Sequence, residues 1–183
     1  MTVLSQQIPD GTWRADKVHS TVGFAVKHSG VATFRGSFSD YDGTLTVVGD
    51  GEPQLTGIVR AASIDVRDDN LAGHLQSPDF FDVERTPEIR FTSTAFRPAD
   101  DGSLIVDGEL TIKGQTRQVE ARGTITPAHE GLAGNLVAGI QLETLIDRTA
   151  FGLNWNAPLP SGGVALANDV KLIVDLELGR QED

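Results

Sequence analysis

The residues best suited to do chemistry in this chain are its four histidines, His19, His28, His74 and His129, and two pairs of adjacent acids, Asp68/Asp69 and Asp100/Asp101. Histidine pairs that hold a metal recur at His-x-His spacing, in His-Glu-x-x-His, or one helical turn apart, and none of these is present. A site gathered through space from His19, His28 and His74 has no local signal behind it. His74 falls on the apolar face of a short helical segment, where it reads as a hydrogen-bonded histidine at the edge of a core or pocket. Asp68/Asp69 reads as helix-capping charge, and Asp100/Asp101 before Gly102 as a turn. Neither pair has the apolar surroundings that would raise a carboxyl pKa toward neutrality. Ser20 follows His19 directly, but neighbours on a strand point to opposite faces, so the two are poorly placed as nucleophile and base. No Gly-x-Ser-x-Gly elbow, phosphate-binding loop or dinucleotide fingerprint occurs, and there is no cysteine. No catalytic residue, metal ligand or cofactor is therefore expected.

What these polar residues flank is more informative. Between Trp13 and Phe38, Val22, Phe24 and Val26 alternate at the two-residue period of a strand with one buried face. Asp16, His19, Ser20 and His28 sit at its two ends, so the strand could line a cavity as easily as a core. The same alternation recurs along the chain with turn signals between, the pattern of an all-β protein. A second strand region runs over 34–48 with a break near 40–43. In 53–64, Leu55, Val59 and Ala61 fall on one parity, and Ile58, Ala62 and Ile64 on the other, which suggests a bulge or burial on both sides. Ile89, Phe91, Ser93 and Ala95 share a parity. So do Leu104, Val106, Gly108, Leu110 and Ile112. Further sets follow at Val119 to Ile125, Leu136 to Leu142 and Val170 to Leu178. Lys113-Gly114 reads as a tight hairpin with glycine at positive φ, making its two strands antiparallel neighbours. One helix is expected over 68–76, with Leu71, His74 and Leu75 on one face, and a short turn at 147–152. A long loop covers 154–167.

Eight to ten strands and one helix point to a single antiparallel barrel over 12–180, preceded by an N-terminal tail over 1–11. Closure removes exposed sheet edges. Gly108, Ala121, Gly123 and Ala138 lie on inward parities where a filled core would carry larger residues. Two causes are open: bends where the barrel closes, or interior volume left for a ligand. Phe24, Phe34, Phe38, Phe80, Phe81, Phe91, Phe151 and Trp155 either pack the core or, in part, line a pocket.

The 183 residues carry a formal net charge of −11 and are 39% hydrophobic. That is enough chain for one domain with a sizeable core. A surface of this sign repels phosphate backbones and anionic headgroups, so no nucleic-acid partner is expected. No window approaches the roughly 18–20 apolar residues that span a bilayer. The first residues lack a basic region followed by an apolar run. A cytoplasmic protein without stable membrane insertion is expected.

Eight motifs in order resemble those of the YceI-like family of lipocalin-like, polyisoprenoid-binding proteins. They begin with Asp16-Lys-Val-His19-Ser20, Phe24-Ala-Val-Lys-His28 and Phe34-Arg-Gly-Ser-Phe38. Ala62-Ser-Ile-Asp65, His74-Leu-Gln-Ser-Pro-Asp-Phe-Phe-Asp82 and Pro87-Glu-Ile-Arg-Phe91 follow. Gly108-Glu-Leu-Thr-Ile-Lys-Gly-Gln-Thr116 and Asp147-Arg-Thr-Ala-Phe-Gly152 complete the series. The resemblance spans about 13–178. It departs from the family pattern at Ala150, where an acidic residue is common. It implies a lipocalin-like barrel of about eight strands, a helix near its mouth, a deep hydrophobic channel and often a homodimer. It further implies binding, storage or transport of a long-chain amphiphile without turnover.

On that basis Phe24, Val26, Phe38, Leu71, Leu75, Phe91 and Leu110 are expected to line the channel, with His28, His74 and Asp65 as polar groups near the mouth. Burying a methylene contributes about 0.8 kcal/mol, so a prenyl or acyl chain can be held by shape and area alone. The competing expectations are an enzyme acting on such a chain through His74, and a stress-related structural protein with a closed core.

Overall fold

The computed structural model describes residues 4–182. Its strands are β1 (Gly11–Ala15), β2 (Thr21–His28), β3 (Ala32–Phe38), β4 (Tyr41–Val47), β5 (Gln54–Arg60) and β6 (Ile64–Asp65). After helix α1 (Asp69–Gln76) come β7 (Glu88–Pro98), β8 (Leu104–Ile112), β9 (Gln115–Glu130), β10 (Leu136–Asp147) and β11 (Leu166–Arg180). β1 and β2 lie end to end along β11, since Trp13 faces Arg180 while Val26 faces Val170. β3 and β4 continue one another beside them, and β5 and β6 beside those. The eleven strands thus make eight staves, each antiparallel to the next in chain order, and β11 closes the ring. The fold is an all-β, lipocalin-like closed barrel with one helix.

The breaks inside staves have local causes. The parity change after β5 is a 3₁₀ turn at Ala61–Ser63, not a bulge within the strand. In β7 the register shifts between Ser93 and Ala95, so the inward parity passes from Ser93 to Phe96 and Ala95 does not continue it. Ser93 tolerates its burial because its Oγ accepts a hydrogen bond from the Leu55 amide at 2.8 Å. Lys113 and Gly114 both have positive φ, 50° and 74°, the geometry of a two-residue hairpin turn. At α1 the Asp68 carboxylate accepts from the Leu71 amide at 2.9 Å, the expected cap.

Topology places the start of β1, the end of β11 and the β4–β5, β7–β8 and β9–β10 turns at one end of the barrel. That end is filled. Trp13, Leu45, Val47 and Val106 pack there with Leu4 and Ile8, which lie within the segment expected as a tail. The Ala128 amide donates to Gln7 and the Trp13 indole to Pro9, so residues 4–9 plug the barrel. Two apolar residues four apart among polar ones are too short a pattern to mark as an element. The β2–β3 turn, the connection carrying α1, the β8–β9 hairpin and the β10–β11 loop form the opposite end.

The kink between β1 and β2 is held by the polar group at the front of the first motif. The Asp16 carboxylate takes the Val18 amide at 2.8 Å and His19 Nδ1 at 2.7 Å, and Ser20 Oγ accepts from the Glu177 amide at 3.0 Å. The Asp16 hydrogen bond, then the charges of Asp16 and Glu177, raise the His19 pKa, and the same bond lowers that of Asp16. The stabilisation linked to His19 is complete below about pH 6.5 and is lost as pH rises through the raised folded value. That of Asp16 is present above about pH 3.9 and is lost as pH falls through its lowered value. Asp16→Asn should therefore return the His19 titration, followed by NMR, toward its ordinary value. Identical titrations in the two proteins would remove this account of the kink.

Candidate functional site

A cavity of about 650 Å³ occupies the half of the barrel next to α1. Its floor is set by Leu55, Ala121, Leu142 and Leu176, residues shared with the packed end. Phe24, Val26 and Phe38 form one wall, with Phe91 and Leu110 on β7 and β8 opposite in the ring. Leu71 and Leu75 of α1 reach in from above. These seven are the residues expected to line a channel; five reach the interior through the inward parity of their own strands and Leu71 and Leu75 through the inner face of α1. Phe24 contacts Phe34 and Phe38 with ring centroids 6.1 and 6.0 Å apart, and Phe38 meets Phe81 edge-on at 5.8 Å. Such tilted contacts fix ring positions in a way that area burial alone does not.

Of the three polar candidates, His28 and His74 belong to the lining and Asp65 does not. In the two-residue β6, Ile64 is buried and Asp65 is exposed, since successive side chains take opposite faces. Asp65 is therefore withdrawn as a mouth group. His28 ends β2 at the rim and is exposed. His74 is half-buried, with Nε2 3.0 Å from an Asp79 carboxylate oxygen. Its ring meets Phe80 and Trp155 edge-on at 5.0 and 4.8 Å, tying α1 to the β10–β11 loop. His19 stays outside the lining, beside Asp16 and Glu177.

Of the small inward residues, the two glycines leave no spare volume. A Cβ on Gly123 would lie 1.6 Å from the Gln141 carbonyl oxygen, so glycine there serves the close approach of β9 and β10. A Cβ on Gly108 would lie 2.5 Å from the Phe91 ring and 2.7 Å from the Thr92 oxygen. Gly108 is thus a seat for Phe91 rather than spare volume, whereas Ala121 leaves room at the cavity floor. Gly108→Ala should push the Phe91 ring into the cavity and destabilise the fold by roughly 1–3 kcal/mol, read by chemical denaturation. An unchanged midpoint would show that the ring has another place to go.

Sequence reasoning named Arg148 only as part of a motif, yet it organises the mouth. It is 4% exposed. Nη1 donates to the Leu153 and Trp155 carbonyls at 2.6 and 2.9 Å, and Nε to Ala167 at 2.9 Å. Burial pushes the guanidinium below its ordinary pKa, offset in part by the charge of Asp147. The Asp147 carboxylate is itself occupied with the Thr149 amide and hydroxyl. The available signal was an arginine that is the last charged residue before a run without charge to Ala167, but only the fold shows the carbonyls converging on it.

The YceI-like domain profile matches residues 13–178. A UPF0312 protein of Staphylococcus aureus is 31% identical over 175 residues, covering 91% of this chain and 96% of its own length. The crystal structure of a Campylobacter jejuni YCEI protein aligns with a TM-score of 0.72 at 25% identity, over 91% of this chain and 96% of that one. The structure of a polyisoprenoid binding domain from Saccharophagus degradans shares the fold, with a TM-score of 0.65 at 13% identity, over 92% and 98% of the two chains. The profile match runs from Trp13 in the packed end to Leu178 on the closing strand and takes in every stave of the barrel. The chain belongs to the YceI-like family.

Proposed function

We propose that this protein binds and carries a long-chain amphiphile, its apolar chain inside the barrel and its polar end at the mouth near His28 and His74. The observation that carries this reading is the cavity itself: about 650 Å³, walled by phenylalanine and aliphatic side chains, floored by a packed core and reaching exposed residues at one end. Its volume falls within the range of roughly 300–1,000 Å³ common to small-molecule sites. A closed core describes only the half around Trp13 and Val106.

Each buried methylene contributes about 0.8 kcal/mol, so selection by chain length should be graded and headgroup selection weak. The relative from Saccharophagus degradans is described as polyisoprenoid-binding, which makes prenyl chains the first class to try. His74, bonded to Asp79 and packed against two aromatic rings, supports its reading as a polar group that holds the mouth. Native mass spectrometry tests the reading, before and after organic extraction and then with added prenyl alcohols and fatty acids. A bound lipid mass, or uptake of either class, is expected. A protein that carries none and takes up none would end the proposal.

A further inference from the structure

We infer that the mouth is also a docking surface for a zwitterionic lipid bilayer, formed by the β2–β3 turn and the β10–β11 loop and flanked by Lys27 and Arg35. The inference rests on the carrier reading, because a chain-binding cavity needs a route to the phase where such chains reside. In a chain of net charge −11, residues 29–34 and 154–167 contain no charged side chain at all. The Ser29 amide donates to the Ala165 carbonyl at 2.7 Å, so the two uncharged segments form one continuous rim. From it project Val31, Val164 and Trp155, which are 77%, 51% and 36% exposed.

The rim is ordered in this form. Pro158 and Val164 pair as a bridge, the Ala165 amide donates to Ala157 at 2.9 Å, and Arg148 and Trp155 anchor the loop base. It is also continuous with the cavity, whose lining includes Thr33 and Trp155 at the rim as well as Phe34 beneath it.

Charge selects the occupant. Lys27 and Arg35 lie exposed on the outer faces of β2 and β3, just below the apolar tip. Valine and tryptophan at the tip with cations behind them is the arrangement of an interfacial anchor, the cations reaching lipid phosphates. A second copy packed rim to rim would bring two sets of Lys27 and Arg35 toward each other.

The test is flotation with phosphatidylcholine vesicles and quenching by brominated phosphatidylcholine. The chain has two tryptophans, and Trp13 is fully buried, so quenching reports on Trp155. Wild type should float and be quenched at 0.15 M salt, on the order of physiological screening. The double variant Val31→Asp/Val164→Asp, altered only at exposed positions, should lose at least about tenfold in bound fraction. It should still take up a prenyl alcohol delivered from ethanol.

Absence of flotation in a wild type that takes up the alcohol would overturn the docking surface and leave the carrier reading intact. So would equal flotation of the variant. A wild-type dimer in sedimentation that the double variant turns into monomer would assign the rim to a second copy instead. Flotation without any uptake would remove the carrier reading and keep the surface.

Discussion

Leu110→Trp is expected to abolish retention of a long-chain ligand while the barrel remains folded. Leu110 lies on β8 among the residues that wall the cavity and is buried against the same cluster as Phe24 and Phe38. Over-packing a filled core typically costs about 1–3 kcal/mol. Here the added indole has cavity to enter, so the low end applies and the melting temperature should fall by only ~3 °C. Ligand volume is lost directly. A ring in the middle of the cavity displaces several methylenes, each contributing about 0.8 kcal/mol, so retention should weaken by more than about a hundredfold. Glu109→Trp, one residue away on the exposed outer face, is the control and should bind as wild type. Native mass spectrometry of the two variants loaded with the same lipid reads the outcome. Equal loading of both would mean that the ligand does not lie in the barrel.

The largest loss of stability is expected from Arg148→Ala, at about 3–4 kcal/mol. Three short charge-assisted bonds disappear and the carbonyls of Leu153, Trp155 and Ala167 are left without their donor. For a chain of this size that corresponds to a fall of about 10 °C in melting temperature. Arg148→Met, which keeps the apolar stem, should recover little, because the unsatisfied carbonyls dominate the loss. Hydrogen exchange should accelerate over 153–167 before it does so at the packed end around Trp13, since the two ends have separate clusters. Uniform exchange, or an unchanged melting temperature, would show that the loop is held by other contacts.

The barrel was legible in the sequence because strand parity is a local property. Residues such as Leu104, Val106, Leu110 and Ile112 keep a two-residue period that one turned-over register would expose to water. The helix was legible through its cap at Asp68, and the β8–β9 hairpin through Lys113-Gly114. Of the seven apolar residues expected in the wall from the family resemblance, five sit at inward parities of their strands and Leu71 and Leu75 on the inner face of α1. Asp65, named on the family resemblance, lies off the cavity lining: the 3₁₀ turn at Ala61–Ser63 resets the parity so that Ile64 faces in, and nothing in the side chains of Ala-Ala-Ser announces it. Ala95 failed for the same reason at the β7 bulge.

By itself the sequence determined which residues face inward along each regular stave, and hence an antiparallel barrel with an apolar interior. Only the tertiary structure decided how that interior is divided. Leu4 and Ile8 fill one end from a segment with no periodicity, and the Phe91 ring rests on Gly108 from a neighbouring strand. The Arg148 guanidinium gathers carbonyls from five to nineteen residues away to shape the mouth. Each of these depends on contacts between residues brought together by closure of the ring. Local pattern encodes the face a side chain takes, while the volume left between faces is a property of the closed barrel as a whole.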